Sequence, residues 1–251
     1  MKRVLGKIVQ SLGLPRGTAT AEAGTFVASG TALDKPRYFI VSPYKTATTT
    51  VGNALITLGA GRHEMTFRRG VLNLHRADFQ RFAKTIKKDT DTRTWISQNA
   101  DAARQVLAPV MSQLLRYDVF SDAPFGHGHV HCCVLKAALP SARFIWVDRP
   151  VSDWLDSVRA WEISHPETYP KYTDWEDQPK RRRRKLRRKR IRLYEHFTQL
   201  AEAYPDDCLE LSMKDLRSWD KLAAFCGVQV PEGAPAAQNV NRPKGDLPSN
   251  G

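Results

Sequence analysis

Between residues 45 and 50 the chain reads Lys45-Thr46-Ala47-Thr48-Thr49-Thr50, one ammonium followed by four hydroxyls within six positions. Side chains of this kind bind anions, above all phosphates, when a helix begins among them. The first N–H groups of a helix have no intrahelical partner, and its macrodipole favours negative charge at that end. The simpler account of one such threonine is a helix cap, but a cap needs neither the lysine nor the repeated hydroxyls. The magnesium-nucleotide loop G-x-x-x-x-G-K-[ST] is not present, because the lysine comes first and Gly52 falls inside the following helix. A magnesium-dependent kinase of a nucleotide or small molecule is therefore the disfavoured alternative.

Elements on either side of this turn position it. Tyr38, Phe39, Ile40 and Val41 are uniformly apolar, as expected of a strand covered on both faces. Val51, Leu55 and Leu58 fall at i, i+4 and i+7, and Gly59 stands where a helix C-terminus is expected. The same strand, turn and helix recur about 100 residues later. Phe144 to Val147 form the second apolar strand, Arg149 sits at the turn and Pro150 suits a first helical turn. Val151, Trp154, Leu155, Val158 and Trp161 then form an apolar stripe.

The segment Lys45 to Thr49 resembles the 5′-phosphosulfate loop, K-[ST]-G-T-[ST], of the sulfotransferases that use 3′-phosphoadenosine 5′-phosphosulfate (PAPS). Ala47 stands where that family has glycine, and alanine would cost about 1 kcal/mol there if φ is positive. Arg149 and, eight residues later, Ser157 match the pair that holds the 3′-phosphate in the same family. A last strand over Cys208 to Met213, and the spacing Trp219, Leu222, Phe225, Gly227, Pro231, are similar to its C-terminal strand and helix. Asn241 to Gly245, with Arg242 and Lys244, is similar to its basic loop over the 3′-phosphate.

The resemblance implies an α/β fold, a P-loop three-layer sandwich with a mainly parallel sheet of four or five strands and helices on both faces. It implies an enzyme, a PAPS-dependent sulfotransferase acting by in-line transfer to a hydroxyl or amine. Lys45, Thr46, Ala47, Thr48, Thr49 and Thr50 would hold the 5′-phosphosulfate, Lys45 assisting the chemistry, and Arg149 and Ser157 the 3′-phosphate. The product would be adenosine 3′,5′-bisphosphate, with no metal required. The family's basic histidine aligns with Val119 to Pro124, which places Asp122 at the position of the general base. Asp122 could equally cap a helix starting near Gly126, and His63, Glu64 and His127 are alternative bases. His127, His129 and His131 alternate, but on a helix only the first and last share a face, and no H-E-x-x-H pattern is present.

At 251 residues and 41% apolar content, one α/β domain is expected over 36–232, after a loose lead-in (1–35) and before a C-terminal tail (233–251) that could close over the cofactor. Helices are expected over 77–88 and 98–116, the latter kinked at Pro109. Four irregularly spaced cysteines and no long apolar segment point to reduced thiols and a cytoplasmic protein.

The net charge of +13 is local: eleven of the thirteen residues from Lys180 to Arg192 are basic, and without them the balance is +2. They lie in a predicted helix, 179–204, with Leu186, Leu193, Phe197, Leu200 and Tyr204 as its apolar seam. Such a run would attract an anionic membrane or polyanion, and could hold the chain peripherally at a membrane. Without interleaved aromatics it disfavours sequence-specific reading of nucleic acid. A non-catalytic polyanion- or membrane-binding protein is thus the second alternative. Small-molecule, lipid and glycan acceptors all remain open.

Overall fold

A computed structural model describes residues 33–61, 69–87, 89–122, 125–166 and 174–232. His63, Glu64, Arg242 and Lys244 lie outside them. Four parallel strands, β1 (Arg37–Ile40), β2 (Val119–Phe120), β3 (Ala142–Asp148) and β4 (Cys208–Ser212), form one sheet in the order β2-β1-β3-β4. Phe39 is paired with Phe144, and Ile145 with Leu209. Parallel strands need crossovers, and the helices supply them: α1 (Thr48–Thr57), α2 (Arg69–Ala83), α3 (Thr92–Gln98), α4 (Ala100–Arg116), α5 (Cys132–Ala138), α6 (Val151–Ser164), α7 (Asp174–Asp177), α8 (Pro179–Ala203) and α9 (Asp220–Cys226).

Alternation along the strands divides the core in two. Phe39, Phe144 and Trp146 pack with residues of α2 to α5 and with Leu193, Phe197 and Leu200 of α8. On the opposite face, Tyr38, Ile40, Ile145 and Val147 pack with Val51 and Leu55 of α1 and Leu222 of α9. Burying each such side chain contributes roughly 1.5–3 kcal/mol, and the result is the expected three-layer α/β sandwich.

The structure moves two helix boundaries. α2 covers Arg69–Ala83 rather than 77–88, and its carboxyl end is followed by turns closed by Thr85 Oγ1 on the Phe82 carbonyl. The predicted 98–116 helix is joined by a separate short helix, α3, whose N-cap Asp91 accepts from Thr94 N–H. α4 runs unbroken through Pro109, so packing of Leu107, Val110, Met111 and Leu114 into the core outweighs the missing N–H. No helix among the described residues is long and apolar enough to cross a membrane. All four cysteines are unpaired thiols.

Candidate active site at the carboxyl ends of the strands

The turn after β1, the end of β2 and the turn after β3 meet at one edge of the sheet, where α1 departs over one face and α8 covers the other. Open α/β sheets leave a crevice at such a point. Lys45 and Ala47 both have φ of 67°, while Thr46 between them does not lie at positive φ. Alternation of this kind turns successive N–H groups toward one concavity, a backbone nest suited to an anion. The remaining non-glycine residue at positive φ among those described, His127 at 61°, lies at the same site. Each such conformation costs on the order of 1–3 kcal/mol, and backbone strain of this kind collects where a ligand is held.

Ala47 is also the N-cap of α1 and has no side chain with which to cap it. The first turn therefore presents its N–H groups without a capping acceptor, and neither Thr48 nor Thr49 is the N-cap. Thr46 is spent differently from the expectation drawn from resemblance: its buried hydroxyl donates to the Pro43 carbonyl at 2.7 Å and lies 2.9 Å from Ser42 Oγ. It braces the turn and leaves its N–H to the nest. Thr49 is exposed and Thr50 half-buried.

Because the Ala47 conformation is one that glycine adopts freely, Ala47→Gly should raise stability. Relief of about 1–2 kcal/mol of left-handed strain exceeds the roughly 0.5–1 kcal/mol of extra chain entropy. A rise of about 1–3 °C in Tm is expected by calorimetry, and a fall would show that the alanine is not strained.

Two cations flank the loop. Lys45 Nζ lies 4.3 Å from the Trp161 ring centroid, and its pKa is lowered by burial and by the neighbouring Arg149. Arg149 donates to the Lys45 carbonyl at 3.0 Å. It does not pair with Asp148, which is taken by Arg190 of α8. Two positive groups held together at a nest are relieved by a bound anion. Ser157 is half-buried on the face of α6 shared with Trp154 and Trp161, three and four residues away. Trp154 Nε1 donates to the Tyr44 carbonyl at 2.9 Å, so that face of α6 is turned to the loop.

On the other side, Asp122 follows β2 and is about half exposed, its carboxylate 3.6 Å from His127 Nδ1. His127 Nε2 lies 3.3 Å from Thr48 Oγ1. Burial holds the His127 pKa down to about 4, so the imidazole is neutral at pH 7. The Asp122 carbonyl also accepts from Gly126 N–H at 2.7 Å, just ahead of the short 3₁₀ turn Gly126–Gly128. Phe125, not Asp122, is the N-cap of that turn, and no side chain caps it. Gly128 cannot carry a side chain, since a Cβ would come within 2.8 Å of the Val41 carbonyl.

His129 and His131 are placed apart from this chain of contacts. The His127 and His129 ring centroids are 6.1 Å apart, whereas His131 stacks on His196 at 3.9 Å and caps α5 by accepting from Cys133 N–H. Among the described residues, the group close enough to share a metal is His131, Cys132 and Cys133, with ligand atoms within 4.8 Å of one another. Burial raises the Cys132 thiol far from its thiolate form and its Sγ is 2.8 Å from the His196 carbonyl, an environment suited to a packed thiol.

A second ring of residues escapes motif reading. Glu162 of α6 is buried and accepts from Tyr44 Oη, from Trp175 Nε1 at 2.7 Å and from both Nε and Nη2 of Arg182. One carboxylate thereby ties the anion loop to α7 and α8. Arg190 joins Asp148 and the Arg149 carbonyl, and Lys189 Nζ lies 5.8 Å from the Tyr44 ring centroid. Helical phase contains the signal: Arg182 and Arg190 stand four residues either side of Leu186, and Lys189 four before Leu193, so that Arg190 is buried beside the apolar stripe of α8 and Arg182 and Lys189 are part-buried at its border.

The chain is thus an α/β sandwich with a backbone nest, an uncapped helix start and paired cations at the carboxyl edge of its parallel sheet. A family model described as a sulfotransferase domain matches residues 38–173, just over half of the chain, and the protein belongs to that family. No curated protein matches the chain.

Proposed function

We propose that the chain transfers the sulfuryl group of PAPS to a hydroxyl or amine by in-line displacement. The observation that carries this reading is the alternating nest at Lys45–Ala47 opening on an alanine-capped helix, with Arg149 bonded across it. The residues present fit the donor: backbone N–H groups, Lys45 and the Thr48 and Thr49 region for its 5′-phosphosulfate, Arg149 and Ser157 for its 3′-phosphate. PAPS supplies the activated sulfuryl group.

This chain's residues would then do three things. Lys45 and the first-turn N–H groups stabilise the phosphate oxygen that takes the electron pair of the breaking S–O bond. Asp122 orients His127 through Nδ1–H, leaving Nε2 as the acceptor of a proton from the attacking hydroxyl. Tyr44, held by Glu162, and Trp161 wall the loop from water.

Titration calorimetry with adenosine 3′,5′-bisphosphate in the presence of a metal chelator tests the donor assignment. Metal-independent binding is expected, tighter than that of ATP with magnesium. Binding of magnesium ATP alone would instead establish a kinase.

A further inference from the structure

Of the eleven cations between Lys180 and Arg192, Arg182, Lys189 and Arg190 face inward or partly so, and the other eight are exposed. At 3.6 residues per turn, the exposed ones sweep an arc of roughly 200°. No carboxylate interrupts the run in sequence. In space Asp156 approaches the exposed cations, 3.8 Å from Arg183 and itself well exposed. Arg182 and Arg190 are engaged by Glu162 and Asp148, whereas Lys189 has no hydrogen-bond or ion-pair partner among the described residues. Arg76, Arg182 and Arg192 add positive potential around it, and burial with these neighbours lowers its pKa to about 8. The acid that faces it, Glu162, is already held by Arg182. Beneath the ammonium lies Tyr44, whose ring centroid is 6.0 Å from that of His127. A cationic surface thus runs along α8 and ends beside the histidine assigned as base.

The shape of this surface selects its occupant. A membrane is flat, and the apolar stripe of α8 that could insert into one is buried in the core, leaving Ile191 alone among the exposed cations. Stacking platforms for nucleic-acid bases do not occur within the run. A flexible chain can follow an arc, guanidinium groups match carboxylates in pairs, and a saccharide offers acceptor hydroxyls beside its charges.

We propose that the acceptor is an acidic polysaccharide lying along the exposed face of α8, with one carboxylate held by Lys189 so that a neighbouring hydroxyl reaches His127. This rests on the sulfuryl-transfer reading. The sugar oxygen forms the new S–O bond and its proton passes to His127 Nε2. The bond from sulfur to the donor phosphate breaks, and its electron pair leaves with the bisphosphate.

Hexagalacturonate, its neutral methyl ester, a single-stranded RNA 12-mer and phosphatidylserine vesicles serve as probes for the full chain. Hexagalacturonate should bind, weaken about tenfold or more between roughly 50 and 200 mM salt, and accept labelled sulfate, while the ester does neither. Replacing Arg181, Arg184, Arg187 and Arg188 together by glutamine should weaken hexagalacturonate about tenfold and leave bisphosphate affinity unchanged. Lys189→Met should raise KM for the oligomer about tenfold with bisphosphate affinity again unchanged. Equal binding of the ester, indifference to the four substitutions, or a clear preference for RNA or vesicles would overturn the proposal. Failure of the wild-type chain to bind bisphosphate would instead overturn the donor reading, whatever the oligomer does.

Discussion

Lys45→Ala should lower kcat/KM for sulfuryl transfer by about 10²- to 10³-fold, the magnitude typical of removing one group that stabilises charge developing on a leaving oxygen. Arg149→Ala should fall in the same range but act more on donor KM, because its guanidinium is assigned to the 3′-phosphate, away from the breaking bond. The fold should tolerate the lysine change well. Lys45 Nζ has no acidic partner among the described residues, and losing it removes the repulsion with Arg149 that lowers its own pKa. The left-handed backbone at position 45 stays strained with alanine, so no large gain is expected. Steady-state kinetics with labelled PAPS, beside a thermal melt of each variant, separates the two effects. Wild-type turnover by a folded Lys45→Ala protein would remove the lysine from the mechanism.

The split between what can and cannot be read in the sequence follows from range. The strand at Tyr38, the helix after Thr48 and the position of Arg149 rest on local periodicity and neighbouring residue types, and these survive folding with shifts of a residue or two. Ala47 is legible too: an alanine in place of an expected glycine implies a conformational cost, and its φ of 67° supplies the conformation that incurs it. Glu162 is not. Its three partners stand 118, 13 and 20 residues away, and nothing local distinguishes it from a solvated helix glutamate until Tyr44, Trp175 and Arg182 close over it. The basic run shows the intermediate case. Composition places eleven charges on one helix, but only the phase of the apolar stripe separates the part-buried Lys189 and buried Arg190 from the exposed Arg187 and Arg188. His127 is a candidate base from its sequence position, yet its contact with Thr48 depends on a positive φ that the sequence His-Gly-His does not declare.

Acid should unfold this protein well above the pH at which carboxylates titrate, and histidines are the reason. Burial lowers the pKa of His127 to about 4, of His131 to about 3 and of His196 to about 4, with His131 also opposed by the charge of His196, whose ring centroid lies 3.9 Å away. In the unfolded chain each titrates near 6.5. Above that pH both states are neutral and the three groups contribute no pH dependence. Between about 6.5 and 4 the unfolded chain binds protons that the folded chain excludes, so stability falls as pH falls. Other cations face these rings: Lys189 beside His127 and Arg192 beside His196, while Asp122 works in the opposite direction on His127 alone. Each tenfold weakening of proton affinity corresponds to about 1.4 kcal/mol. Even with generous discounting for solvent access, three such groups remove on the order of 5 kcal/mol, which is comparable to the whole stability of an ordinary domain. Urea midpoints should therefore be level between pH 8 and 7 and drop steeply from pH 6.5 to 4.5. His196→Phe, which keeps a ring against His131 and removes one of the protonatable pair, should flatten that drop by about a third. A midpoint unchanged down to pH 4.5 would mean that these imidazoles are not held neutral by the fold.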